Sequence, residues 1–200
     1  MTSKITPYIT AEQIADTVTQ LAGAVNTYYK DQVTKHNPLI LVVILKGSSI
    51  FYADLVRKIG VPVITEFISI SSYGANTKSS GEIRLELDTR TSITDHHVLI
   101  VEDIIDTGNS LETVLNLLQA RHPSSLEIVT LLSKPSRRIK DVKVKFTGFT
   151  IPDKFVIGYG LDLDERWREL PFIGVYGEEK EILTETKENK KASTEESKLN

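Results

Sequence analysis

Seven consecutive apolar residues, Leu39–Leu45 (LILVVIL), stop abruptly at Lys46-Gly47. The run is too short to cross a bilayer and rich in β-branched residues, the pattern of a strand covered on both faces. Ser48 or Ser49 then caps a predicted helix carrying Ile50, Phe51, Leu55, Val56 and Ile59, which ends near Gly60. Pro62 opens an extended stretch over 62–70. Strand, turn, helix and strand form a βαβ unit, which commits the chain to a parallel strand pair with a helix packed on it.

The same texture returns downstream. Residues 98–101 are apolar, Glu102-Asp103 follows, and Ser110 opens a helix bearing Leu111, Val114, Leu115 and Leu118. A strand at 126–132 stops at Ser133-Lys134-Pro135. Further extended segments cover 142–151, 155–159 and 172–176, with a short charged helical piece, DERWREL, before the last. Ahead of all these, Thr10 and Gln13 have the spacing of a capping box, and Ile14, Val18, Leu21 and Val25 form one helical stripe. Residues 71–81 are small and polar, a long loop of the kind that is functional or disordered, with Ile83–Leu87 a strand returning from it. The expectation is one α/β domain over 1–177 with a largely parallel sheet. Residues 178–200 carry 12 charges in 23 positions and read as a solvated tail without chemistry.

Composition removes several function classes. There is no cysteine among the 200 residues, which excludes disulfides, thiolate metal sites and cysteine nucleophiles. The net charge of −3 argues against a duplex-coating nucleic-acid binder. No apolar run approaches the roughly 20 residues of a membrane span, and the first residues lack a secretory signal. A soluble, cytoplasmic protein remains.

In open α/β sheets ligands sit beyond the carboxyl ends of the strands, so the residues after each strand matter most. The most informative string is VLIVEDIIDTGNS, residues 98–110. Glu102 and Asp103 suit sugar hydroxyls or a divalent cation. Asp106, Thr107, Gly108, Asn109 and Ser110 form a small-residue loop entering a helix, whose N–H groups and partial positive charge suit a phosphate. Together they describe a ribose 5-phosphate site. Taken alone, D-x-G-x-S is as readily a simple helix cap.

VLIVEDIIDTGNSL resembles the signature of the purine phosphoribosyltransferases, specifically their hypoxanthine-guanine branch. Four other segments agree in order and spacing: ILKGSSIFYADLVRKI, SSYGANTKSSGEI, LLSKPSRR and GFTIPDKFVIGYGLDLDERWREL. The resemblance spans roughly residues 38–176 and implies a type I phosphoribosyltransferase fold with a small hood or base-binding subdomain. It implies transfer of the 5-phosphoribosyl group from 5-phosphoribosyl-1-pyrophosphate (PRPP) to a 6-oxopurine with Mg²⁺, releasing pyrophosphate, in a homodimer or homotetramer; from the charge and the apolar runs, no nucleic-acid or membrane partner is expected.

By resemblance, Glu102 and Asp103 hold the ribose hydroxyls and a Mg²⁺, and Asp162 lies near the purine 2-position and a second Mg²⁺. Asp106 is the general base near N7, and the amides from Asp106 to Ser110 bind the 5′-phosphate. Lys46 and Gly47 form the pyrophosphate loop, where the family has a non-proline cis peptide ahead of the lysine, and Arg168 grips pyrophosphate. Lys134 donates to the 6-oxo group, Phe155 stacks on the base, and the Val156 backbone bonds its edge. Ser72 and Tyr73 lie in the mobile hood. Asn109 departs from a lysine found in several members, and Ser110 from the more familiar threonine.

Taken singly, Lys134 reads as an exposed strand-end lysine and Phe155 as a core residue; only their places in matched segments assign them to a pocket. His36, His96, His97 and His122 read as surface loop residues, Trp167 as packing for the DERWREL helix, and Arg137, Arg138 and Lys140 as a solvated turn. Competing readings are an RNA-binding regulator on the same fold, a phospho-receiver domain, whose order of carboxylates does not fit, and a phosphoribosyltransferase for xanthine, adenine or uracil.

Overall fold

The computed structural model describes residues 4–72 and 83–177. Tyr73, most of the 71–81 loop, the side chain of Ser72 and the 178–200 tail lie outside the described residues. The described residues form nine strands and three α-helices: β1 (Lys4–Ile9), α1 (Ala11–Tyr29), β2 (Leu39–Leu45), α2 (Ser49–Val56), β3 (Val63–Ser72), β4 (Ile83–Leu87), β5 (His97–Ile105), α3 (Asn109–Gln119), β6 (Ser125–Ser133), β7 (Phe146–Thr150), β8 (Val156–Ile157) and β9 (Ile173–Gly177).

The main sheet has the order β4-β3-β2-β5-β6-β7, and all its neighbours run parallel except the edge pair β3–β4. Alternation along the strands divides the core. Leu39, Leu41, Val43, Leu99, Val101, Val129 and Leu131 face α1 and α2, while Ile40, Val42, Ile44, Val98, Ile100 and Ile128 face α3. Both faces are covered, which is why LILVVIL shows no polar alternation. The capping box forms at Thr10 and Gln13, and Ile14, Val18, Leu21 and Val25 are buried.

A second sheet, β1-β9-β8, is antiparallel. Its first strand was not anticipated: a Pro-containing segment has little strand signal, and its partner lies more than 160 residues downstream. Three local expectations are corrected. DERWREL is not helical: Asp164, Glu165 and Trp167 have positive φ, and Leu163 pairs with Arg166 in an isolated bridge. β5 does not end at Val101 but continues through Glu102 and Asp103 to Ile105, because β6 keeps supplying hydrogen bonds up to the Ile105–Ser133 pair. His97 starts β5 instead of lying in a turn, with Nδ1 2.8 Å from Ser125 Oγ. No helix among the described residues is long and apolar enough to cross a membrane.

Candidate active site

The topology places the site between β2 and β5. From β2 the chain crosses by α2 to β3 on one side, and from β5 it crosses by α3 to β6 on the other, so a crevice opens at this reversal. Pairing of β2 with β5 ends at Val43–Val101. Beyond that point the two strand ends diverge, one into Lys46-Gly47 and the other into Glu102-Asp103. The peptide bond between Leu45 and Lys46 is cis.

Gly47 lies directly against Asp103: a β-carbon there would sit 1.7 Å from Oδ2. Asp103 Oδ1 accepts from the Ile104 N–H at 2.9 Å. Burial pushes the Asp103 carboxyl up to about 6, against the opposing pull of those N–H bonds and of nearby Arg168. Burial, with Asp103 beside it, pushes Glu102 well above the usual carboxylate range. Two adjacent carboxylates thus share a site without enough positive charge to satisfy them.

Asp106 follows β5, and Gly108, at φ +87°, turns the chain into α3. The first amides of that helix have no helical partner and open onto a cleft of about 120 Å³ lined by Glu102, Ile104, Asp106, Thr107, Gly108 and Ser110. Larger grooves, of about 290 and 390 Å³, flank α1. Size does not select the site; the chemistry at the strand ends does.

Lys134 leaves the end of β6 with its N–H on Ile105 O at 2.9 Å. Its side chain is only 8% exposed, with Nζ 3.8 Å from Asp153 Oδ1. Phe155 is 51% exposed, its ring edge-on to Tyr176 at 6.2 Å between centroids. This reverses what each residue type suggests on its own: the lysine is buried and the aromatic is open. Val156 is buried in β8 and paired with Val175.

The 158–168 turn brings the second sheet to the crevice. Gly160 sits against the Gly47 carbonyl, and Arg168 Nη1 donates to Gly160 O at 2.7 Å. Arg168 Nη2 also meets Asp162 Oδ1 at 2.9 Å. Glu165 Oε2 lies 3.0 Å from Lys46 Nζ and 3.2 Å from Arg168 Nη2, and these cations hold its carboxyl below the usual range. A carboxylate therefore spans the two cations matched to pyrophosphate binding.

Described residues of four matched segments meet here, those carrying Lys46 and Gly47, Asp103 and Asp106, Lys134, and Gly160 and Arg168; His36, His96, His97 and His122 are not among these contacts. Sequence reasoning missed Arg137, whose side chain meets Asp106 and Asp153, and Asp153 itself. The signal available was position: Arg137 lies three residues past Lys134, and Asp153 two before Phe155. Arg138 and Lys140 are likewise engaged, the first with Ser133 Oγ and the second with Glu112.

Crevice, carboxylate pair and helix N-terminus define a phosphoribosyl-binding protein class, and residues 9–164 match the family model for the phosphoribosyl transferase domain. Curated relatives include hypoxanthine-guanine phosphoribosyltransferases of Dictyostelium discoideum, 48% identical over 85% of this chain and 94% of that protein, and of Mycobacterium avium, 44% identical over 83% and 82%. Among solved structures, a Trypanosoma cruzi hypoxanthine phosphoribosyltransferase variant in a ternary complex with substrates is 42% identical, with a TM-score of 0.82 over 88% of this chain and 97% of that one. The chain belongs to the phosphoribosyltransferases, in the hypoxanthine-guanine family.

Proposed function

We propose that this enzyme serves purine salvage, moving the 5-phosphoribosyl group of PRPP to hypoxanthine or guanine and forming IMP or GMP with release of pyrophosphate. The observation that carries the reading is the buried Lys134 ammonium, whose backbone N–H is tied to Ile105 O two residues beyond the carboxylate pair, together with the open face of Phe155. A buried donor accepts a 6-oxo group and leaves a 6-amino group facing another donor, which disfavours adenine. Xanthine is the remaining candidate base, decided around Asp162.

Amides from Asp106 to Ser110 hold the 5′-phosphate, and Glu102 and Asp103 hold the ribose hydroxyls. Lys46, Gly47 and Arg168 receive the pyrophosphate, and Glu165 must first release the two cations. Phe155 stacks on the base, the Val156 backbone bonds its edge, and Ser72 and Tyr73 belong to a hood that excludes water. As the bond from ribose to pyrophosphate loosens, positive charge develops on the sugar and negative charge on the leaving group, where the cations act. Asp106 accepts the proton that the purine ring nitrogen loses.

Among the described residues no three ligating side chains converge. That fits Mg²⁺, which binds through one or two carboxylates together with substrate phosphates. Glu102 and Asp103 would hold one ion, and Asp162 a second; when bound, Mg²⁺ neutralises charge on the leaving pyrophosphate. The reading includes a cytoplasmic homodimer or homotetramer.

The test offers hypoxanthine, guanine, xanthine, adenine and uracil separately with PRPP and Mg²⁺ and quantifies nucleoside monophosphate. IMP and GMP without AMP or UMP are expected. If no base reacts while PRPP still binds, the transferase reading fails, and RNA binding by the same fold becomes the reading to pursue. In the same assay Asp106→Asn is expected to slow turnover by about two to four orders of magnitude while PRPP still binds.

A further inference from the structure

Backbone hydrogen bonds stitch the turn after β6 onto the loop after β5. Besides the Lys134 bond to Ile105 O, the N–H groups of Ile139 and Lys140 donate to Thr107 O at 2.9 and 3.1 Å. Arg138 braces this turn from within, donating to Ser133 Oγ at 2.9 Å. So braced, the turn projects Arg137 across the mouth of the crevice. Its Nε donates to Asp106 Oδ1 at 3.1 Å, and its Nη1 lies 3.5 Å from Asp153 Oδ2. The other Asp153 oxygen faces Lys134 Nζ at 3.8 Å. Four charges therefore alternate along one row: Asp106, Arg137, Asp153, Lys134.

We propose that Arg137 is a positioning residue that holds Asp106 and Lys134 in fixed relation, so that both meet one edge of the purine together. The inference rests on the roles proposed above for those two residues, proton acceptor and 6-oxo donor. A guanidinium suits the task because its planar fork reaches two carboxylates at once, whereas an ammonium acts as a single point charge. The row contributes geometry more than stability. The side chains of Arg137, Asp106 and Asp153 are 47%, 41% and 52% exposed, and ion pairs this open add little to folding. Misplacing a reacting group by an ångström, in contrast, is costly in rate.

The experiment compares Arg137→Met, Arg137→Lys and Asp153→Asn with wild type, using Asp106→Asn as the reference. The readouts are kcat, KM for hypoxanthine, KM for PRPP, and Tm. In Arg137→Met, kcat/KM for hypoxanthine is expected to fall about ten- to a hundredfold, with KM for PRPP and Tm unchanged. Arg137→Lys should recover little of the loss, and Asp153→Asn should move the same parameters in the same direction. Wild-type kcat/KM in Arg137→Met beside a slow Asp106→Asn overturns the inference. Full recovery in Arg137→Lys overturns the bridging role, since charge alone would suffice. Equal losses toward both substrates with a lowered Tm show a merely structural residue and overturn it too. Wild-type turnover in Asp106→Asn is a different failure: it removes the proton acceptor, and the inference falls with that reading.

Discussion

A β-carbon on Gly47 would meet Asp103 Oδ2 at 1.7 Å, and one on Gly160 would meet the Gly47 carbonyl oxygen at 2.0 Å. These two glycines let the β2 end, the β5 carboxylates and the 158–168 turn approach more closely than side chains permit. Their neighbours differ in what they can yield. Asp103 can swing its carboxylate aside, so Gly47→Ala is expected to leave Tm nearly unchanged while kcat/KM for PRPP falls at least about tenfold. Gly160 faces rigid backbone and has φ +101°. Gly160→Ala is therefore expected to cost about 1–3 kcal/mol of stability together with activity. Melting curves and PRPP kinetics on the two variants separate the cases; a large Tm loss in Gly47→Ala would mean that Asp103 is held too firmly to move.

Between elements, one ion pair ties the edge of the sheet to the far end of α3. Beyond β4, Asp88 takes Arg121 Nη1 and Nη2 at 2.8 and 2.7 Å on its two oxygens. This bidentate contact holds the Asp88 carboxyl below its usual range. A carboxyl lowered in the fold contributes stability above its unfolded pKa, and the contribution is lost as pH falls through the folded value. Since Asp88 is 41% exposed, Asp88→Asn is expected to cost only about 0.5–1 kcal/mol at pH 7. Urea midpoints taken stepwise from pH 5 downward should show the gap between variant and wild type closing; a gap independent of pH would assign the loss to something other than charge. The elements also show what the sequence made legible. β2 and β4 were anticipated to the residue, because a doubly buried strand and a strand leaving a polar loop announce themselves locally. β1 depends on a distant partner, and DERWREL turns on positive φ values that charged residues do not advertise. In the site, the long motif strings located the four segments that meet, but Arg137 pairs with Asp106 and Asp153, and Glu165 with Lys46 and Arg168, and pairing across the fold leaves no mark in spacing.

For the molecule as a whole, the crevice works against the fold that builds it. Nearly every apolar residue of β2 and β5 is buried, yet the same strands deliver Glu102 and Asp103 side by side to a place where burial raises both carboxyls. Two like charges held together in a partly desolvated site oppose folding until a ligand supplies compensating charge. Sites organised for chemistry often carry such a cost, and removing it stabilises the free protein. The double variant Glu102→Gln with Asp103→Asn keeps the shape and removes the repulsion. At neutral pH its ligand-free Tm is expected to rise by several degrees, since about 1 kcal/mol corresponds to roughly 2–4 °C for a chain of this size. Added PRPP with Mg²⁺ should raise the Tm of wild type through binding to the native state, and should do far less for the variant. Scanning calorimetry with and without ligand reads both effects. A lower ligand-free Tm in the variant would mean that the two carboxylates support the native fold, and their adjacency would then need a structural explanation instead of a catalytic one.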